Sequence, residues 1–465
     1  MKKNFFVVLI FLAFCYAAEA RTVKGRVHCG TENIGGVIVT DGVNFSRTSA
    51  RGKFKLDIAD EAEFVYIVTP SGYSAPFSSG SPEFYRKAEG EDTFDFDLVS
   101  LGDGDYTIFA ISDPQTKHDR HFAKFCAAPL QDIKANAPKY LRTGPLVGIM
   151  LGDICWDDTP MLAKYKKEAA SLGFPVYAVI GNHDYNRKVP FGHYADDFKS
   201  YFGPLDYAFF AGDDLVIGLN NILYSEDGKY IEGYGEEELT FVRNLLKLVP
   251  EDAHVLVAHH SPIAKRGREK NTFIKSGDTL VALFGDRKVD MISGHTHIMN
   301  NLKISDSIVD HNIGSICGDW WSSDWCKDGT PSGYAIFSIG KDGVTHFYRS
   351  IGEPDDYQVE IIEPGESQHH PEAVVANIWD YEDGWTVSWF EDGKPMGAMT
   401  QTEDVSPTTI RKIGETYPDS SKVPRYKRPR TNNHYFMAVP DEGVKEVKIV
   451  VTSKNGEKWE FNVGL

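Results

Sequence analysis

The sequence predicts an α/β layered core set between two β-rich segments. Three observations carry that prediction. Apolar, strand-like runs recur through the middle of the chain, with helix-like stretches between several of them. Shorter runs that alternate apolar and polar residues, broken by turn signals, fill both flanks. The composition is that of folded protein: 42% hydrophobic and 25% charged, with 42 Gly and 23 Pro in 465 residues, which suits many turns better than a helical bundle. At roughly 100–200 residues per domain, two to four domains are expected.

The chain opens on a basic head, Met1-Lys2-Lys3, followed by an apolar run over 5–18 and the triplet Ala18-Glu19-Ala20. This order reads as a secretory signal peptide over 1–20. An apolar run of about 14 residues is too short for a comfortable membrane span, and no later stretch approaches about 18 apolar residues. Phe14 stands before Cys15, where lipid attachment would need a small residue. The expectation is an exported protein, periplasmic or extracellular, with no membrane span after the leader. The net charge of −18 repels a nucleic-acid backbone, so no nucleic-acid partner is expected. A phosphorylated substrate would then need local positive charge, from a metal or a few Lys and Arg. Beyond the leader stand Cys29, Cys126, Cys155, Cys317 and Cys326, an odd number that excludes complete pairing within the chain. Cys317 and Cys326 are close enough to pair in an oxidising compartment, or all five are small buried hydrophobes.

Residues 21–100 are read as a β-sandwich. Alternation over 23–27, 36–40 and 52–56, with Asp41-Gly42 as a turn, predicts short strands. Residues 103–350 form the α/β core. Apolar runs at 106–111, 146–151, 176–180, 215–219, 254–258 and 289–292 predict strands, and 160–172 and 236–248 predict helices. Four of the runs end directly in Asp113, Asp153, Asn182 and His260, and a fifth leads to His295 and His297. Open α/β sheets bind ligands at the carboxyl ends of their strands, so a site belongs there. Residues 357–465 return to alternation, at 373–378, 385–390 and 447–451, and predict a C-terminal β-rich domain. Two features remain. The basic stretch 422–430 is either a solvated loop that balances charge or a loop folded over the central site. The tryptophans Trp320, Trp321 and Trp325 either pack between domains or line a groove for a ring or a sugar.

The strand-end segments are Ser112-Asp113-Pro114-Gln115, Gly152-Asp153-Ile154-Cys155-Trp156-Asp157, Gly181-Asn182-His183-Asp184, His259-His260-Ser261-Pro262 and Gly294-His295-Thr296-His297. Carboxylate, carboxamide and imidazole together make the donor set of a first-row transition metal, and one aspartate can bridge two ions with its two oxygens. Each fragment alone is weak. Five in one order, each after an apolar run, are not.

That order resembles the calcineurin-like metallophosphoesterase family over about 113–297, and more loosely over the whole core. The flanks resemble those of a secreted bacterial subgroup with N- and C-terminal β-domains. The resemblance implies a four-layer α/β/β/α catalytic domain. It also implies a dinuclear centre of divalent ions (Mn, Fe or Zn) that activates water for attack on the phosphorus of a small phosphorylated substrate, a monoester or a diester. Asp153 would bridge the ions. Asp113 and His297 would hold the first, with Gln115 where the family usually has His, a harder donor that favours an ion such as Mn. Asn182, His260 and His295 would hold the second. His260 is preferred to His259 because it carries the H-x-P spacing. His183 would sit over the phosphate and either donate a proton to the leaving group or stabilise charge. Of Tyr185, Asn186, Arg187 and His193, which follow the Gly181-Asn182-His183-Asp184 segment, Arg187 is the best placed by charge to grip phosphate oxygens. The carboxylate that orients His183 is expected at 156, where Trp156 stands; Asp157 is one place late, with Asp184 and Asp158 as alternatives. These departures motivate a different reading, a non-catalytic metal- or ligand-binding module with a degenerate phosphoesterase site. The motifs do not specify an oligomeric state.

Overall fold

The structure is a computed structural model that describes residues 21–267, 270–341 and 343–465. The leader expected over 1–20 lies outside the described residues. Two sheets form the middle of the molecule. The first has five strands, in the order Val176–Val179, Leu146–Leu151, Tyr106–Ile111, Gly333–Gly340 and Gly343–Ser350. Its first three strands are parallel and its last two antiparallel. The second has six: Tyr207–Ala211, Asp214–Gly218, Val255–Ala258, Val289–Ser293, Ile308–Asn312 and Asn300–Lys303. The strand runs read from the sequence recur here within a residue at either end.

Alternation along Tyr106–Ile111 sets the layers. Ile108 and Ala110 join one apolar cluster with Leu215, Val255 and Met291 of the second sheet. Phe109 and Ile111, on the opposite face, join another with Phe125, Leu130, Ile133, Leu162 and Tyr165. Those partners come from the helices Asp119–Ala127, Pro129–Leu141 and Met161–Ala169. The helices Glu236–Leu246 and Gly277–Phe284 pack Val242, Leu245, Leu280 and Phe284 with the second sheet. The arrangement is helix, sheet, sheet, helix. Burial on both faces is why the strands read as unbroken apolar runs.

The flanks are β-rich and firmly docked. Residues 21–97 hold two four-stranded sheets. Phe84 packs 5.6 Å from Tyr177 and 5.5 Å from Tyr207, and Phe45 lies 5.8 Å from Phe241. Residues 359–464 hold two more four-stranded sheets around Val374, Val387, Ile449 and Val451. Their docking is polar and buried: the Tyr435 hydroxyl donates to the Asp328 carbonyl (2.6 Å) and the Asn432 amide to the Met299 carbonyl (2.8 Å). Between the strands Thr400–Asp404 and Asn432–Ala438 the chain leaves the sheet as a helix, Pro407–Thr416, and two short turns, Ser420–Lys422 and Arg425–Lys427. All five cysteines are free thiols, so Cys317 and Cys326 do not pair; Cys155, Cys317 and Cys326 are buried, whereas Cys29 and Cys126 are only half-buried, so the reading of all five as buried hydrophobes holds for three. Among the described residues no helix is long and apolar enough to cross a membrane.

His254 ties the second sheet together beneath the site. Its Nδ1 lies 3.2 Å from Asp214 and its Nε2 2.7 Å from Asp290. Burial alone would lower its pKa, but the two carboxylates outweigh burial and push it up to about 9. A folded-state pKa above the unfolded value of about 6.5 contributes stability in full below that pH, and the contribution fades as pH rises through the folded value. His254→Gln is therefore expected to cost roughly 1–3 kcal/mol at about pH 6 and much less at about pH 10. Urea midpoints of both proteins at the two pH values check this; an equal cost at both would contradict it.

Candidate metal centre

The carboxyl ends of the parallel strands from both sheets meet at one edge. Asp113 and Gln115 follow Tyr106–Ile111, Asp153 follows Leu146–Leu151, and Asn182 and His183 follow Val176–Val179. From the second sheet, His260 follows Val255–Ala258, and His295 and His297 follow Val289–Ser293. The backbone at this edge is strained: Asp113, Gln115, Asp153, Asp157, His295 and His297 all have positive φ, between 42° and 68°. Left-handed non-Gly residues cost about 1 kcal/mol or more each and gather at functional sites. Two glycines let the turns approach. A Cβ on Gly152, whose φ is +86°, would lie 2.6 Å from His260 Nδ1, and one on Gly181 would overlap the Asp153 backbone.

Two donor groups result, and they share Asp153. In one, His260 Nε2 lies 3.3 Å from Asp153 Oδ1, 3.1 Å from Asn182 Oδ1 and 3.1 Å from His295 Nδ1. The ligand atoms of Asp153, His260 and His295 fall within 4.8 Å of one another. In the other, His297 Nε2 lies 3.4 Å from Asp113 Oδ1. Both of these atoms, and Gln115 Oε1, are buried without a hydrogen-bond partner. An orphaned buried polar atom costs roughly 1–3 kcal/mol, and three together call for a shared partner that accepts lone pairs, which a cation does. The electrostatics agree. Burial would lower the His260 pKa, yet Asp153 and Asp113 push it up to about 9. Burial and the Asp153 charge push Asp184 up to about 7. Both shifts mark a site whose carboxylates dominate the local field, and its residues fit divalent metal ions.

Three family models in succession match most of the chain. The N terminal of Calcineurin-like phosphoesterase matches residues 21–101, Calcineurin-like phosphoesterase 106–299, and the C terminal of Calcineurin-like phosphoesterase 310–459. The chain belongs to the calcineurin-like phosphoesterase family. Membership supports metal-dependent phosphoester hydrolysis. Among solved structures, a dimetal phosphatase from Danio rerio is 14% identical, with 53% of this chain and 97% of that one covered at a TM-score of 0.40. A 5'-nucleotidase from Candida albicans SC5314 is 14% identical, with 53% and 52% covered at a TM-score of 0.33, so the match spans about half of that enzyme. A search of curated proteins finds no match.

The phosphoesterase brings together Asp113, Gln115, Asp153, Asn182, His183, His260, His295 and His297, and leaves His259 outside the cluster. That side chain faces the other way, against the Tyr234 hydroxyl and 3.3 Å from the Asn221 amide. His260 is the one in the cluster. Gln115 is in place, and its Nε2 donates to Asp153 Oδ2 at 2.9 Å while its Oε1 stays unpartnered. Asp157 reaches His183 despite standing one place late: its Oδ1 lies 3.1 Å from His183 Nδ1. The backbone at Asp157 is left-handed, φ +55°. Asp184 instead accepts the Cys155 and Gly181 backbone N–H groups, both at 2.9 Å. Arg187 donates to the same Asp157 oxygen at 2.8 Å. The side chains of His183, Asp157 and Arg187 are 25%, 40% and 44% exposed and form the mouth of the site.

Other contacts had no sequence signal. Glu232 Oε1 lies 3.2 Å from His295 Nε2, and that hydrogen bond draws the Glu232 pKa down to about 2. It sits on a three-residue strand, Tyr230–Glu232, with no apolar run to mark it. Beside it a cleft of about 470 Å³ opens next to His295, lined by Lys265, Arg266 and Asn312 of the core and by Glu403 and Asn433 of the C-terminal domain. The tryptophans divide their work. Trp325 meets Trp379 of the C-terminal domain at 6.3 Å, Trp321 donates to the Pro114 carbonyl at 3.0 Å, and Trp320 stacks on His297 at 4.0 Å and 17°. The basic stretch is not simply solvated: Lys427 is buried, and its Nζ donates to Ser322 Oγ at 2.7 Å.

Proposed function

We propose that the protein hydrolyses esters of phosphate with small alcohols, using two divalent cations. The observation that supports this most is the pair of donor groups sharing Asp153, one of them with three orphaned ligand atoms. Asp113, Gln115, His297 and Asp153 would hold one ion; Asp153, Asn182, His260 and His295 the other. When bound, the cations offset the charge of the phosphoryl oxygens and make water more acidic. The protein's own groups do the rest. The water oxygen forms a bond to phosphorus as the bond from phosphorus to the ester oxygen breaks. Asp157 holds His183 by Nδ1, which leaves Nε2–H to protonate the departing alkoxide. Burial opposes a charged His183, but Asp153 and then Asp157 prevail and raise its pKa. The water gives up its own proton to solvent. Arg187, anchored on Asp157, lies where a guanidinium can meet phosphate oxygens at the mouth. The basic head, apolar run and Ala18-Glu19-Ala20 support export.

Removal of metal tests this reading. Chelation is expected to abolish release of p-nitrophenol from p-nitrophenyl phosphate or its bis ester, and titration with Mn²⁺ to restore it to saturation. Stoichiometric metal uptake without turnover of either ester would favour the binding-module reading and overturn the proposal.

A further inference from the structure

The C-terminal domain places an aromatic ring beside the mouth. Tyr426 is 44% exposed, high for so large an apolar surface. Its ring stands edge-on to Trp320 at 5.0 Å and to Trp156 at 6.2 Å, both at 84°. These two tryptophans lead to the two halves of the chemistry. Trp320 stacks on His297, and Trp156 lies 5.7 Å from the His183 ring at 61°.

The ring is held there at some cost. Tyr426 sits in the turn Arg425–Lys427, and the neighbouring Lys427 is only 6% exposed, its ammonium on Ser322. Thr416 Oγ1 donates to the Ser322 carbonyl at 2.7 Å, and Lys412 meets Asp324 at 2.7 Å. The segment is therefore strapped at three points to the loop that carries Trp320. A loop that merely balanced surface charge would keep its lysines in water. Lys117 adds one cation, its Nζ 5.2 Å over the Trp156 ring.

We infer that Tyr426 and Trp156, with the buried Trp320 behind Tyr426 as its support, form a wall for the leaving group, and that the protein prefers phosphoesters of ring-bearing alcohols. The inference rests on the proposed hydrolysis, in which His183 protonates the leaving oxygen. The alcohol then departs beside His183, and the aromatic neighbour of His183 is Trp156. Flat aromatic rings and the C–H faces of sugar rings both pack on such surfaces. The wall lies across two domains, so it exists only while the C-terminal domain is docked.

The test compares wild type, Tyr426→Ala and Tyr426→Phe on p-nitrophenyl phosphate, glucose 1-phosphate and glycerol 3-phosphate. Tyr426→Ala is expected to lower kcat/KM about tenfold on one or both ring esters, through KM, with glycerol 3-phosphate within about twofold of wild type. Tyr426→Phe is expected to behave as wild type, because the ring face and not the hydroxyl makes the contact. Loss on the aromatic ester alone assigns the wall to aromatic alcohols, and loss on the sugar ester alone to sugars. Equal effects on all three esters, or none, would overturn the inference. Binding of p-nitrobenzylphosphonate against methylphosphonate, followed by tryptophan fluorescence, separates this from the parent reading. Tighter binding of the ring compound that Tyr426→Ala abolishes keeps the wall even if no ester is turned over; without that preference, and without a Tyr426-dependent loss on the sugar ester, the wall falls.

Discussion

Asp153→Asn is expected to lower kcat/KM for any phosphoester by about 10³-fold or more and to cut metal uptake from two ions toward one or none. Each tenfold corresponds to about 1.4 kcal/mol, so the change removes on the order of 4 kcal/mol of transition-state stabilisation. Asp153 is the one side chain common to both donor groups. Its Oδ1 faces His260 at 3.3 Å and accepts the His183 backbone N–H at 2.8 Å, while its Oδ2 accepts the Gln115 amide at 2.9 Å. Asparagine has nearly the same volume, so packing survives. It removes one negative charge and turns one oxygen into a donor, aimed either at His260 and the His183 backbone N–H or at the Gln115 amide N–H. Metal content by elemental analysis, beside steady-state rates, checks the result. A variant that kept both ions and wild-type turnover would remove Asp153 from the centre.

His183→Ala is expected to act differently: unchanged metal content and a kcat that depends on the leaving group. For an alkyl ester, whose alkoxide needs a proton to depart, the loss should be about 10²–10⁴-fold. For p-nitrophenyl phosphate, whose phenolate leaves unaided, it should be about tenfold or less. The structure sets this contrast. The His183 side chain is 25% exposed at the mouth, tied by Nδ1 to Asp157, whereas His260 and His297 are fully buried. Rates on glycerol 3-phosphate and p-nitrophenyl phosphate, measured on the metal-loaded variant, decide the matter. Equal losses on the two would point to charge stabilisation in place of proton donation, and lost metal would make His183 a ligand.

The strands that build the site were legible because they are buried on both faces. Runs such as 146–151 and 289–292 carry no competing helical pattern, and each stops where a polar residue enters the site. Asp157 was harder. It stands one place late on a left-handed backbone, and backbone sign at a single Asp has no signature in sequence. Glu232 and Tyr426 were out of reach in a stronger sense. Glu232 lies on a three-residue strand, and Tyr426 reaches Trp156 from 270 positions further along the chain. Cysteine pairing is not legible in the sequence, since proximity in sequence does not say whether two Cβ atoms face each other.

By itself, then, the sequence determined the layered core, the order of the ligand-bearing strand ends and the family that this order marks. Each of those is local: an apolar run that ends in a polar side chain writes its own pattern into consecutive residues. The sequence spacing preferred His260 to His259, and the tertiary structure places His260 in the cluster; the tertiary structure alone decided that Asp157 and not Asp184 reaches His183 and that the C-terminal domain brings Tyr426 to the mouth. Those choices turn on which way a side chain faces and on which distant segments meet. Packing settles both, through buried contacts between residues that are not neighbours in the chain.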